Sequence, residues 1–149
     1  MITAWRIVKD NRASSAFSGQ GARLYGGRWN SPGISVIYTS GSKALAALES
    51  LVHLNPPTVF RYVAIPIQFD DALVERVTKL PADWSEMPAP STTKGIGDLW
   101  VKEARSAVLE TPSVIIPEES NFLLNPAHPD FQKISFGKAK PFIFDRRLL

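Results

Sequence analysis

ISVIYTSGSKALAALESLVH, residues 34–53, changes period in its middle. The first six residues are mostly β-branched or aromatic and predict a strand over 34–39. From Lys43 onward the apolar positions Leu45, Leu48 and Val52 recur at helical spacing, which predicts a helix over about 42–53. Ser40 or Ser42 offers an oxygen to cap its first turn. Glu49 falls four residues after Leu45, at the edge of the apolar stripe. A carboxylate there is partly dehydrated unless something pairs with it. Either it reaches water at the boundary, or it is aimed into a cleft where an arginine holds its charge.

Working outward, ITAWRIV (2–8) predicts a strand with Trp5 and Ile7 on one face and Ala4, Arg6 and Val8 on the other. Arg6 then shares a face with small apolar neighbours, an odd place for a solvated arginine. Residues 11–33 are polar and glycine-rich without a clear period and predict a long loop, a length that in compact domains is often functional. A third strand is predicted over 58–68, with Pro66 arguing for an edge or a strand end, and a short fourth over 71–77. Residues 81–97, rich in proline, glycine and small polar residues, predict irregular structure within one domain, of the kind that makes a flap. Asp98 can cap a helix over about 99–109 with Trp100, Ala104, Ala107 and Val108 on one face, stopped by Thr111-Pro112. SVIIP (113–117) and PFIFD (141–145) predict short strands, and NFLLNPAHPD (121–130) a turn-rich segment. Strands and helices mix without regular βαβ alternation, so the fold class is α+β, in a single domain over 1–149.

A chain of 149 residues can bury a core without staples. Its 44% hydrophobic and 21% charged residues are those of a soluble globular protein. The absence of cysteine excludes a disulfide framework, a thiol nucleophile and a Cys-based metal site, and suits a reducing cytoplasm. The N-terminus lacks the apolar run of a signal peptide, and no stretch is long enough to span a membrane. The net charge of +3 is not gathered into a run, which suits an anionic small molecule or an acidic partner and argues against direct nucleic-acid binding.

YGGRWNSPG (25–33) concentrates unusual residues. Its glycines permit close approach, and Arg28 brings a planar fork suited to phosphate or carboxylate. The stretch reads as a turn that buries Trp29 or as a cradle for an anionic substrate. Tyr38 closes the 34–39 strand and belongs to the core or presents its ring to a cleft. Ser113 reads by itself as a hydrogen-bonded turn residue. His53 and His128 lie in no nucleophile motif and no metal spacing, so no metal site is expected. Two arginines, a tyrosine, a glutamate and a serine make a set without a conventional nucleophile. Such a set suits a reaction in which the leaving group departs early and positive charge develops on carbon, as in glycoside cleavage. A carboxylate stabilises that charge, arginines bind a diphosphate and an aromatic ring stacks on a base, which is how NAD would be cleaved at its nicotinamide ribose.

WR at 5–6, GARLYGGRWNSPG at 21–33, VIYTS at 36–40, the ALAALE run ending at Glu49 and PSVIIPEESNFLLNPAHPDF at 112–131 occur in this order. Together they resemble the RES-domain toxins, partners of Xre-type antitoxins in bacterial type II toxin–antitoxin pairs, over nearly the whole chain. The resemblance implies a single domain similar to the ADP-ribosyltransferase toxin fold, with mixed small sheets and flanking helices. It implies NAD as substrate, with no further cofactor, and growth arrest through NAD loss by hydrolysis or phosphorolysis. Arg28, Glu49 and Ser113 carry the family's three named roles, and Arg6 and Tyr38 match positions kept in its cleft. On that basis Arg6 and Arg28 hold the diphosphate and ribose, and Tyr38 packs against the nicotinamide end. Glu49 stabilises the oxocarbenium-like state, and Ser113 orients Glu49 or the substrate. The implied partner is an Xre-type helix-turn-helix antitoxin that blocks the active site, with room for a homodimer within the complex. Water, inorganic phosphate and a protein side chain stay open as acceptors. So do two other readings, an ADP-ribosyltransferase acting on a host protein and a non-catalytic nucleotide- or partner-binding module.

Overall fold

The computed structural model describes residues 1–54 and 61–149. β1 (Ile2–Lys9) pairs along its whole length with β3 (Tyr62–Phe69), antiparallel, from Ile2↔Phe69 to Lys9↔Tyr62. On its other edge β1 meets β2 (Ile37–Ser40) at the single register Trp5↔Ser40. β2 continues through β6 (Ser120–Leu124) to β5 (Val108–Pro112), both antiparallel, and β5 takes β4 (Val74–Arg76) in parallel. β7 (Ser135–Phe136) and β8 (Lys140–Phe142) both pair with β3. The result is one mixed sheet in the order β4-β5-β6-β2-β1-β3-β7, with helices beside it, an α+β architecture. The small sheets that the resemblance implied are joined into one path because the Trp5↔Ser40 contact holds β1 to β2.

Alternation along β5 and β6 sends side chains into two separate cores. Val108, Phe122 and Leu124 join Ala4, Ile37, Ile67 and Phe69. Leu109 and Leu123 join Trp29, Val36 and Trp100. These strands are therefore covered on both faces, which is why Val108-Leu109 and Phe122-Leu123-Leu124 are adjacent apolar residues and not a clean alternation.

α2 (Lys43–Leu51) packs on β1 and β2, with Leu45 and Ala46 buried. Ser42 is its cap: the Ser42 Oγ accepts from the Leu45 N–H at 3.0 Å. The strand expected over 34–39 begins later, at Ile37, and the strand expected over 58–68 begins at Tyr62, residues 58–60 lying outside the described residues. Pro66 is not on a sheet edge. Its carbonyl accepts from the Gly137 N–H, so its nitrogen faces the same side, at the gap between β7 and β8 where no ladder bond is lost.

Four further expectations are corrected. The 11–33 loop contains a 3-10 turn (Asp10–Ser15) and a short helix, α1 (Gln20–Tyr25). The helix expected over 99–109 is α3 (Ser91–Lys102), which absorbs the end of the irregular 81–97 segment. Glycines at 95 and 97 argue against a helix by propensity. Packing overrides this, because the Trp29 carbonyl sits where a Cβ on Gly97 would stand. Past Glu103 the chain leaves the helix at Ala104, φ +48°, and Ala107 and Val108 enter the strand side of the core. Finally, 113–117 is a turn and not a strand, and 120–124 is a strand where a turn-rich segment was expected.

Candidate functional site

The contact of β1 with β2 at one register leaves the two strands splayed, and α2 crosses the opening. A cleft of about 290 Å³ lies there, walled by Trp5 and Arg6 of β1, Tyr38 and Ser40 of β2, Glu49 of α2 and Asn121 of β6. Arg6 bridges the splayed strands. Its Nη1 donates to the Tyr38 carbonyl at 2.9 Å and its Nε to the Ala16 carbonyl at 2.7 Å. Among the described residues no carboxylate is in ion-pair range of it. Burial without a counter-charge pushes the guanidinium down to about 10, still cationic at neutral pH. Lys43, in the first turn of α2, stands 4.5 Å over the Trp5 ring.

Glu49 is held by one oxygen. The Ser113 Oγ donates to Glu49 Oε1 at 2.7 Å and Asn121 Nδ2 donates to the same atom at 2.9 Å. Ser113 is fully buried in the turn after β5, where its Oγ accepts from the N–H groups of Ile115 and Ile116. With its lone pairs filled, its one proton points at Glu49. Glu49 Oε2 receives no donor from the described residues and is left for the cleft.

The sequence-derived set therefore divides. Arg6, Tyr38 and Glu49 line one cleft, and Ser113 supports Glu49 from behind. Arg28 is not among the residues that line it. Its Nη1 donates to the carbonyls of Trp84 and Glu86, at 3.0 and 2.8 Å, and its Nη2 contacts the Met87 sulfur at 2.8 Å. The segment expected to be a flap is what occupies it. Tyr38 turns its hydroxyl away from the opening: it donates to Asn30 Oδ1 at 2.7 Å and accepts from the Trp29 N–H at 3.0 Å. Burial raises this phenol far above its ordinary value. The two glycines of YGGRWNSPG serve this packing. Gly26 has φ +73°, and a Cβ on Gly27 would stand 2.5 Å from the Tyr38 hydroxyl. Trp29 is buried and anchors the loop in the core.

Sequence reasoning missed Asn121 and His53. His53 lines the same cleft four residues after Glu49. Asn121 belongs to the polar Ser120-Asn121 start of an otherwise apolar strand, a weak signal, and only the β2–β6 register (Ser40↔Asn121) brings it to Glu49. Among the described residues no group of His, Cys, Asp or Glu is placed to hold a metal ion, and no helix is long and apolar enough to cross a membrane.

The RES domain model matches residues 3–145. The chain belongs to the RES domain family. Relatives of the RES domain at this similarity are toxins by name. The Prs ADP-ribosylating toxin of Sphingobium sp. (strain YBL2) is 40% identical, covering 97% of this chain and 95% of that protein. Toxin Res of Yersinia enterocolitica is 38% identical, covering 97% of each. The fold is also that of a chain in the crystal structure of the M. tuberculosis MbcT–MbcA toxin–antitoxin complex. That match has a TM-score of 0.78 at 18% identity, over 95% of this chain and 84% of that one. The RES domain here is thus a single mixed-sheet domain of a known toxin fold.

Proposed function

We propose that this RES protein is the toxin of a toxin–antitoxin pair and that it cleaves the nicotinamide–ribose bond of NAD. The observation that carries this reading is Glu49: one oxygen fixed by two donors, the other free in a cleft that also holds a cationic arginine. The C1″–N bond breaks with its electron pair going to the pyridinium, which leaves as neutral nicotinamide. The positive charge that develops on the ribose is stabilised by Glu49 Oε2, directly or through a ribose hydroxyl. Water or phosphate then adds at C1″ and releases a proton. Ser113 acts by holding Glu49, because its proton is already committed. Arg6 and Arg28 bind the diphosphate. Arg28 does so by exchanging the Trp84 and Glu86 carbonyls for phosphate oxygens, which are stronger acceptors. Tyr38 packs against the nicotinamide end with its ring. An Xre-type helix-turn-helix antitoxin covers the cleft and silences it.

The test is NAD consumption by purified, antitoxin-free protein, with and without inorganic phosphate, products identified by mass. ADP-ribose in both buffers identifies a glycohydrolase. ADP-ribose 1″-phosphate only with phosphate identifies a phosphorylase. Loss of NAD that persists at the normal rate in folded Glu49→Gln overturns the role of Glu49.

A second reading is favoured by the name of the 40%-identical relative, the Prs ADP-ribosylating toxin. In it the same intermediate is captured by a protein side chain. Labelled ADP-ribose on a host protein, with little free ADP-ribose, would select it. Bound NAD without turnover would select a binding module instead.

A further inference from the structure

We propose that Asn121 is a positioning residue for Glu49, one that sets which carboxylate oxygen faces the substrate; this rests on the NAD-cleaving reading above. Asn121 sits in β6 opposite Ser40 of β2 and opposite Thr111 of β5. Its Nδ2 donates to Glu49 Oε1 at 2.9 Å, while its Oδ1 is buried without a partner. Buried amides ordinarily satisfy both ends. Thr111, whose hydroxyl is also buried without a partner, is the residue opposite it on β5. The orientation adopted is the one that gives Glu49 a donor. The reverse would set the amide oxygen against Glu49 Oε1, two acceptors in contact. Tyr62 carries the other orphaned hydroxyl among the described residues, and of the three groups only Asn121 lines the cleft.

The consequence is geometric. A single donor leaves a carboxylate free to rotate about its own hydrogen bond. Ser113 from the β5 turn and Asn121 from β6 reach the same oxygen from two separate elements. The pair fixes both the position of Oε1 and the direction of Oε2. A displacement of about 1 Å at a reacting centre is worth about a hundredfold in rate.

The experiment uses Asn121→Ala and Asn121→Asp in the full chain, each shown to be folded by its thermal transition. In Asn121→Ala, kcat for NAD falls about a hundredfold while KM changes about twofold or less. In Asn121→Asp the introduced carboxyl can donate to Glu49 Oε1 only while the pair keeps one proton. Activity is therefore retained on the acid side and lost as pH rises, an alkaline limb absent from wild type. The other charged or titratable residues lining this cleft are Arg6 from β1, Tyr38 from β2 and His53 just past α2, with Lys43 of α2 over the Trp5 ring. All are shared with wild type, so the new limb belongs to the introduced carboxyl. A purely structural asparagine would give neither the kcat–KM split nor the limb. Unchanged kcat in folded Asn121→Ala, with Glu49→Gln inactive, overturns the role of Asn121 and leaves the NAD reading standing. If wild type does not cleave NAD, that reading fails by itself, and a crystal structure of Asn121→Ala decides the positioning role. Glu49 displaced from its wild-type place supports it; Glu49 unmoved on Ser113 alone overturns it.

Discussion

Ser113 and Glu49, 64 residues apart in sequence, are joined by a 2.7 Å hydrogen bond in which the serine is the donor. The direction follows from the two backbone N–H groups that already fill the Ser113 oxygen. This rules out the serine as a free nucleophile and makes it a part of the glutamate's support. Ser113→Ala removes one donor from Glu49 and orphans the Ile115 and Ile116 N–H groups. The expected loss of stability is about 1–3 kcal/mol, since buried donors are left unpaired. Urea titration measures it, and NAD turnover of the same protein falls by at least tenfold. Full activity with reduced stability would confine Ser113 to the turn.

Arg6 gives the site a pH signature. Burial holds its folded-state value at about 10, below the ordinary value of an arginine. A folded-state value below the unfolded one means that the fold disfavours the cation. The penalty is present in full below pH 10 and is relieved as pH rises above it towards the ordinary value of an arginine. Binding runs the other way. Affinity for an anionic nucleotide falls as pH passes 10, where Arg6 loses its charge. Calorimetry with NAD and Glu49→Gln protein on either side of that pH checks it; an unchanged Kd would remove Arg6 from diphosphate binding.

Arg28 ties the 84–87 segment to the glycine loop through the carbonyls of Trp84 and Glu86. In Arg28→Ala the amides of that segment exchange with deuterium at least about tenfold faster, the loss expected for charge-assisted hydrogen bonds. If a bound diphosphate takes over the Arg28 fork, NAD added to Glu49→Gln protein also speeds exchange there. Slower exchange with NAD would show that Arg28 keeps its carbonyl partners.

Gly97 is where the position of α3 is decided. An added Cβ would stand 1.6 Å from the Trp29 carbonyl oxygen, backbone that cannot give way cheaply. Gly97→Ala is expected to cost about 3 kcal/mol despite alanine's better helix propensity. A fall in Tm on the order of 10 °C would match it. No change in Tm would mean that α3 can shift off the loop without loss.

Much of the site was legible in the chain itself. The period change within 34–53 gives a strand, a cap at Ser40 or Ser42, of which the structure uses Ser42, and a helix with Glu49 at the edge of its apolar stripe. Arg6 shares a strand face with small apolar residues, an anomaly visible in the sequence, and it is buried in a cleft wall with carbonyl partners. These readings rest on local spacing, and spacing survives folding. The composition, the missing cysteines and the resemblance carried by WR, YGGRWNSPG and the ALAALE run also needed no coordinates.

What required tertiary structure was everything that depends on partners distant in sequence. α3 runs through Gly97 against the distant Trp29 carbonyl, a contact that local propensity cannot report. The 120–124 strand exists because β2 and β5 flank it, and it alone brings Asn121 to Glu49. Arg28 presents the same guanidinium fork in either environment. Its sequence neighbourhood cannot say that the Trp84 and Glu86 carbonyls, 56 and 58 residues away, hold its fork outside the cleft. The sequence by itself determined which residue types could do this chemistry and on which element most of them lie. The fold decided which of them meet, because hydrogen-bond partners are chosen by register and packing, and neither is written in local period.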